Sequence, residues 1–200
     1  MAKPTYHHGD LRTALLDAAE KELLKDPDCV LSVRSLASKI GVSATAPHAH
    51  FSTKSDLLAA LATRGFERLR EDLLEAPQDK EDLRMMLTGL AERYIAFGVK
   101  NTGLYRLMFT TGVGLETKAE LRLASRTSYD VLRDAIRSAF PDHAKTETDT
   151  YALTAWALVH GFTSLLSEDR IADDLIEDGS GRALADIVTA LLMAGQPDKP

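Results

Sequence analysis

The sequence predicts an all-α fold with about nine helices. Apolar residues recur along most of the chain at the i, i+3, i+4, i+7 spacing of one helix face. Strand-like alternation bounded by turn residues is missing, and β-branched residues are scattered. The 200 residues are 44% hydrophobic and 27% charged, which is the composition of a globular protein and excludes a wholly disordered chain.

Three helices are predicted in the N-terminal quarter, over about 10–25, 33–40 and 44–51. Ser32 and Ser43 are suitable N-caps for the second and third of them. Gly41 fits the left-handed position that ends the second. The segment 1–55 is therefore predicted to form a three-helix domain built on a helix-turn-helix.

Six more helices follow, separated by breaks rich in Pro, Gly and Asn. They are predicted over about 55–75, 79–100, 104–109, 116–140, 146–167 and 182–194. Thr53 and Asp56 have the spacing of a capping box at the start of the first of them. We predict that residues 56–200 form a helical bundle joined to the N-terminal domain.

The spacing of the second and third helices fits a helix-turn-helix, in which the second helix enters the DNA major groove. The small side chains of Ala44 and Ala46 allow a close approach to base edges, and Thr45 offers a hydroxyl and a methyl group. The same helix presents His48 and His50. A generic corner between two helices fits the pattern as well, so hydropathy alone does not decide.

Charge is distributed unevenly along the chain. The net charge is −6, but residues 1–55 contain seven Lys or Arg against six Asp or Glu, and four of the six His. A surface that binds a polyanion is therefore expected in this quarter, whereas unspecific coating of DNA is not.

Two stretches of the sequence resemble TetR-type transcriptional regulators. The strings TYHHGDLRTALLDAA and LSVRSLASKIGVSATAPHAHFSTKSDLLAAL are similar to the DNA-binding domain of that family over residues 5 to about 61. The string AWALVHGF at 155–162 resembles a Trp-x-x-x-His-Gly signature of one C-terminal subtype. Residues 76–145 match only as a helical pattern.

The resemblance implies roles in DNA binding for particular residues. His48 stands where the family commonly has a tyrosine that contacts phosphate, while His50 and Lys54 match the family pattern. The full set of expected DNA-binding residues is Tyr6, His7, Arg34, Ser43, Ala44, Thr45, Ala46, His48, His50 and Lys54. Adjacent side chains such as those of His7 and His8 diverge, so we expect no metal site there. We also expect no cofactor.

A second set of residues is expected to line an apolar ligand pocket. They are Tyr94, Phe97, Tyr105, Met108, Phe109, Trp156 and His160. Such a set also describes an ordinary helical core. Trp156 and His160 share a helix face, and the sequence leaves open whether they touch a ligand or only pack.

The helix over 146–167 is apolar nearly all round between Tyr151 and Leu166, which indicates burial on two sides. We expect it to form a homodimer interface together with the last helix, as the resembled family does. Two recognition helices related by a two-fold axis then read a palindromic operator in double-stranded DNA.

These observations favour a cytoplasmic, dimeric transcriptional regulator, a repressor released by a small-molecule effector. The N-terminus lacks the apolar core of a secretory signal, and no apolar run is long enough to span a membrane. An enzyme is not favoured, because no G-x-S-x-G motif is present and His160 and Ser164 have no paired acid. The alternative is a DNA-architectural or protein-interaction module without an effector.

Overall fold

The computed structural model describes residues 8–77, 82–110, 118–171 and 182–194. Within these ranges the fold is all-α, as predicted, with eight α-helices, one 3₁₀ helix and no strand. The α-helices are α1 (His8–Lys25), α2 (Val33–Lys39), α3 (Lys54–Leu74), α4 (Leu83–Lys100), α5 (Thr102–Phe109), α6 (Ala119–Ala139), α7 (Lys145–Ser167) and α8 (Arg182–Ala194). The 3₁₀ helix is Ala46–Ala49.

The chain divides into two compact units, which we describe separately. The first comprises Met1–Gly65 and Asn101–Arg122, and the second comprises Phe66–Lys100 and Leu123–Pro200. The boundaries between the units fall within α3, after Gly65, and within α6, after Arg122. The predicted functional boundary between residues 55 and 56 remains a prediction.

The core of the first unit is made by the apolar faces of α1, α2 and the first half of α3. Its most deeply buried side chains include Leu15, Leu36, Ala37, Leu57 and Leu61. Ala37 is fully buried, so only a small side chain suits this position. This core fixes α2 and the 3₁₀ helix against α1.

The helix α5 packs closely into the first unit. A β-carbon on Gly103 would lie 2.8 Å from the carbonyl oxygen of Leu23 and 2.9 Å from Cα of Pro27. A β-carbon on Gly65 would lie 2.6 Å from the sulfur of Met108. Glycine at both positions therefore lets α5 approach α1 and α3 more closely than any other residue would.

The second unit is built around α4, whose residues 86–91 are all buried. Thr88 donates a hydrogen bond to Thr189 of α8 at 3.0 Å, and both side chains are buried. The hydroxyl of Tyr151 on α7 donates to the carbonyl of Leu192 at 3.0 Å. These bonds satisfy polar groups that would otherwise be buried without a partner.

Three predicted elements differ from the structure, and one of them is the helix predicted from residue 116, which begins at Ala119. The predicted α-helix over 44–51 is instead the 3₁₀ helix Ala46–Ala49. The helix predicted from residue 79 begins at Leu83, where the side chain of Asp82 accepts a hydrogen bond from the backbone N–H of Met85 at 2.9 Å.

The capping box at the start of α3 is confirmed. The backbone N–H of Asp56 donates to the Thr53 hydroxyl at 3.2 Å, and that of Thr53 donates to the Asp56 carboxylate at 2.9 Å. None of the helices in the described ranges has the length and hydropathy needed to cross a bilayer.

Candidate nucleic-acid interface and aromatic core

The turn after α2 has the geometry expected of a helix-turn-helix. Gly41 adopts φ = +76°, and its N–H donates to the carbonyl of Ser38 at 3.1 Å. The N–H of Val42 donates to the carbonyl of Ala37 at 3.0 Å. Together the two bonds form a Schellman motif, which explains why glycine stands at this left-handed position.

The element after the turn is a 3₁₀ helix, and its Pro47 lacks the N–H that an α-helical bond to the carbonyl of Ser43 would need. Bonds of the i, i+3 type run from the N–H of His48 to the carbonyl of Thr45 at 3.1 Å and from that of His50 to Pro47 at 2.9 Å. At the end of the element the N–H of Phe51 makes an i, i+4 bond to the carbonyl of Pro47 at 2.8 Å. The N-cap of the 3₁₀ helix is Thr45 and not Ser43 as predicted, although the Ser43 hydroxyl accepts from the N–H of Ala46 at 3.2 Å.

Most of the expected DNA-binding side chains face solvent. Those that are exposed are Arg34, Ser43, Ala44, Thr45, His48 and Lys54, while Ala46 and His50 are half-buried. The hydroxyls of Ser43 and Thr45 lie 3.1 Å apart and share a hydrogen bond. Because a hydroxyl offers one donor and two acceptor positions, Thr45 retains capacity for a further polar contact. Tyr6 and His7 lie outside the described residues.

The buried face of the 3₁₀ helix explains how the exposed face is held. Phe51, at its end, is only 3% exposed, and Pro47 is buried as well. The guanidinium carbon of Arg12 lies 5.7 Å from the centre of the Phe51 ring, in cation–π range. Sequence reasoning did not single out Arg12, whose only signal is a cation in the first helix.

The charge around the turn suits a polyanion. Between Cys29 and Ser55 the sequence contains three cations, Arg34, Lys39 and Lys54, and no carboxylate. Lys39 is paired with Glu22 of α1. Lys54 opens α3, where the helix dipole also favours an anion.

Four of the expected pocket residues belong to the second unit. Tyr94 and Phe97 of α4 are buried, and Trp156 and His160 of α7 are half-buried. The Tyr94 hydroxyl lies 3.1 Å from Nδ1 of His160, and the Trp156 and His160 rings are 5.6 Å apart. Burial lowers the pKa of His160, which favours the neutral imidazole.

Tyr129 of α6 also belongs to this aromatic cluster, with its ring 5.7 Å from that of Trp156. It was not among the expected residues. The other three expected residues, Tyr105, Met108 and Phe109 of α5, lie in the first unit. Tyr105 and Met108 are buried there, and the rings of Tyr105 and Phe109 are 5.0 Å apart.

A groove of about 440 Å³ lies between α7 and α8. None of the seven expected pocket residues lines it. Its lining consists of Thr146, Glu147, Thr150, Tyr151, Thr154, Leu158, Leu191 and Leu192. Leu191 in this lining and Leu153 elsewhere on α7 are each 54% exposed. The outer face of the α7–α8 pair is thus apolar and uncovered in a single chain.

The fold and the exposed turn define a helix-turn-helix protein with an all-α C-terminal part. A family model described as "Tetracyclin repressor-like, C-terminal domain" matches residues 87–192, which is more than half of the chain. The chain therefore belongs to the tetracycline-repressor-like family of regulators.

Individual proteins and solved structures are also similar to this chain. Over 132 residues the chain is 28% identical to nucleoid occlusion factor SlmA of Marinobacter nauticus, covering 66% of this chain and 67% of that protein. A protein of unknown function from Rhodococcus sp. RHA1 is 28% identical, with a TM-score of 0.75 over 98% of this chain and all of that one. A TetR transcriptional regulator from the same organism is 15% identical and shares the fold, with a TM-score of 0.65 over 96% of this chain and all of that one.

Proposed function

We propose that the protein is a sequence-specific DNA-binding repressor that acts as a homodimer and is released from its operator by a small molecule. The observation that carries the proposal is the exposed face of residues 43–48, next to Lys54 at the start of α3. In this arrangement Thr45 and its small neighbours meet base edges, while Lys54 and Ser43 meet phosphates.

The direct test is selection of bound duplexes from a random pool, followed by titration of the selected duplex at several salt concentrations. We expect one preferred sequence. The logarithm of the binding constant should fall linearly with the logarithm of the salt concentration. Binding that is equal for all duplexes would contradict sequence-specific regulation.

The homodimer is supported by the outer face of α7 and α8. Exposed apolar side chains recur along both helices, with Leu153 and Leu165 on α7 and Ile187 and Leu191 on α8. Several large apolar side chains exposed on one pair of helices are typical of an interface. A two-fold axis through this face would pair the helices isologously. It would place two copies of the segment over residues 43–51, which we call the reading element, on one duplex.

The effector is proposed to enter the second unit near Tyr94, Trp156 and His160. These residues supply aromatic surface together with the buried phenol of Tyr94 and the half-buried imidazole of His160, which are hydrogen-bonded to each other. We also assign the chain to the subtype with the Trp-x-x-x-His-Gly signature, on the spacing of Trp156, His160 and Gly161. A ligand releases the operator only if its affinity differs between the free and DNA-bound states.

The second candidate is a DNA-binding protein without an effector, and the likeness to a nucleoid occlusion factor favours it. The two functions differ in one measurement. Screening of small molecules by thermal shift, followed by DNA titration, would show an effector-dependent loss of affinity only for the repressor.

A further inference from the structure

The carboxylate-free stretch from Cys29 to Ser55 is bracketed by two acidic residues. Asp28 directly precedes it and Asp56 directly follows it. Each is paired with a cation from the later segment of the first unit. Nη1 of Arg106 lies 2.6 Å from Oδ1 of Asp28, and Nζ of Lys118 lies 2.5 Å from Oδ1 of Asp56.

We propose that Arg106 and Lys118 are positioning residues for DNA reading, holding the two ends of the helix-turn-helix through Asp28 and Asp56. The proposal rests on the proposed DNA-binding function. Beyond that function, we infer that Arg106 and Lys118 raise the affinity of the protein for DNA although they do not touch DNA and are distant in sequence from the reading element.

The contact at Asp56 acts on the start of α3. The other oxygen of this carboxylate accepts hydrogen bonds from the backbone N–H and the hydroxyl of Thr53, both at 2.9 Å. Lys118 and then Thr53 lower the pKa of Asp56, so the carboxylate stays ionised and paired. Because Thr53 immediately precedes Lys54, Lys118 fixes the backbone from which the proposed phosphate contact extends.

The contact at Asp28 acts on the approach to α2. Asp28 belongs to a turn in which its own N–H donates to the Asp26 carboxylate at 3.1 Å. The N–H of Cys29 donates to the carbonyl of Asp26 at 3.1 Å. The close approach of Gly103 to the carbonyl of Leu23 and Cα of Pro27 places α5, and with it Arg106, against this turn.

Positioning and direct phosphate contact predict different salt dependence. A lysine that neutralises a phosphate contributes about one unit to the slope of log affinity against log salt. A cation that is already paired with a carboxylate of its own chain releases no counterion from DNA. Its loss should lower the affinity and leave the slope unchanged.

The first experiment compares Lys118→Met and Arg106→Met with the wild-type protein, on the duplex that the wild type selects from a random pool. Each single variant should bind about twofold to fivefold more weakly, since exposed ion pairs are worth little individually. Arg93→Met is the matched control, because the side chain of Arg93 is about as exposed as that of Lys118 (44% and 43%) and its pair with Glu75 in the second unit has a similar length of 2.7 Å. It should bind DNA like the wild type. A slope reduced by about one unit in either test variant, or an affinity equal to that of the control, would overturn the proposal.

The second experiment asks whether Lys118 acts through Asp56. Asp56→Asn keeps an acceptor for Thr53 and removes the charge, so it should weaken DNA binding even though it makes the protein less acidic. Adding Lys118→Met to Asp56→Asn should then cost nothing further. Stronger binding by Asp56→Asn, or fully additive losses, would overturn the proposal.

A third measurement needs no DNA and so separates this proposal from the proposed function. Amide hydrogen exchange at Thr53 and Asp56 should be several-fold faster in Lys118→Met than in the wild type. If the wild type selects no duplex while exchange rises as expected, the DNA-binding function fails and the positioning contact stands. Unchanged exchange would refute the contact itself.

Discussion

At the scale of single residues, Gly103 and Gly161 both lie inside α-helices but have opposite surroundings. A β-carbon at 103 would press on backbone atoms of Leu23 and Pro27, whereas a β-carbon at 161 meets no atom within 4 Å in the single chain. We expect Gly103→Ala to lower the free energy of unfolding by about 1–3 kcal/mol, because backbone yields poorly to overpacking. Gly161→Ala should raise it by up to about 1 kcal/mol through helix propensity.

Urea unfolding of both variants at one fixed protein concentration measures the difference, since dimer stability depends on concentration. Equal effects at the two positions would show that the close approach of α5 to α1 does not constrain residue 103. A loss of stability in Gly161→Ala would indicate that the partner surface of the proposed dimer comes close to α7 at residue 161.

Thr45 and Lys54 are both exposed but are proposed to contact different parts of DNA. Thr45→Val keeps the shape and removes the hydroxyl, so it should change the preferred base at one position of the site. Lys54→Ala should weaken binding to all sequences and reduce the salt slope by about one unit. Parallel selection and salt titration test this pair, and the reverse pattern would mean that the groove contacts are wrongly placed.

His160 should make stability depend on pH. Burial lowers its pKa below the ordinary value of 6.5, so the unfolded chain binds more protons than the folded one just below that pH. The free energy of unfolding should therefore fall as pH drops through 6.5 and go on falling until the folded-state pKa is reached. His160→Gln should remove this component.

The measurement is the difference between the two proteins in urea midpoint, followed from pH 8 to pH 5. The other histidines are present in both, so their titration cancels in this difference. Identical pH profiles would mean that the imidazole of His160 is as easily protonated in the folded protein as in the unfolded chain.

At the scale of elements, the sequence located helices well because caps and breaks are local. Ser32, Gly41 and the pair Thr53 and Asp56 each act within a few residues of their own position, and the structure confirms all three signals. The α-helix predicted over 44–51 is the exception, and it contains Pro47. Proline removes one α-helical hydrogen bond there, and the structure has a 3₁₀ helix over Ala46–Ala49.

Contacts between distant segments were beyond prediction. The pairing of Arg106 with Asp28 joins residues 78 positions apart, and no periodicity in the sequence indicates it. The aromatic set was likewise chosen from apolar spacing, which identifies buried positions but not the unit in which they pack. Tyr105 and Tyr94 illustrate this, since both are buried but belong to different units.

The outer face of α7 provides a test of dimerisation. Leu153→Glu places a charge on the exposed apolar surface of the proposed interface, and we expect it to convert the dimer to a monomer because an unpaired buried charge is costly. Leu123→Glu on α6 is the matched control, since Leu123 is also an exposed leucine, at 63%, and lies outside the α7–α8 face. Light scattering coupled to size-exclusion chromatography distinguishes monomer from dimer. If both variants are dimers, the interface does not lie on the outer face of α7 and α8.

At the scale of the whole molecule, the net charge of −6 limits the affinity with which a single reading element can bind DNA. One element with few cations, carried on an acidic chain, should bind DNA weakly, so useful affinity requires two elements on one duplex. The selected site should therefore be a palindrome whose half-sites are separated by about one helical turn or a multiple of it.

Wild-type protein should bind the full site far more tightly than a duplex carrying one half-site, whereas Leu153→Glu should bind both with the same low affinity. Fluorescence anisotropy on the two duplexes measures this. Tight wild-type binding to a single half-site would show that one chain suffices, and the dimer would then have no part in recognition.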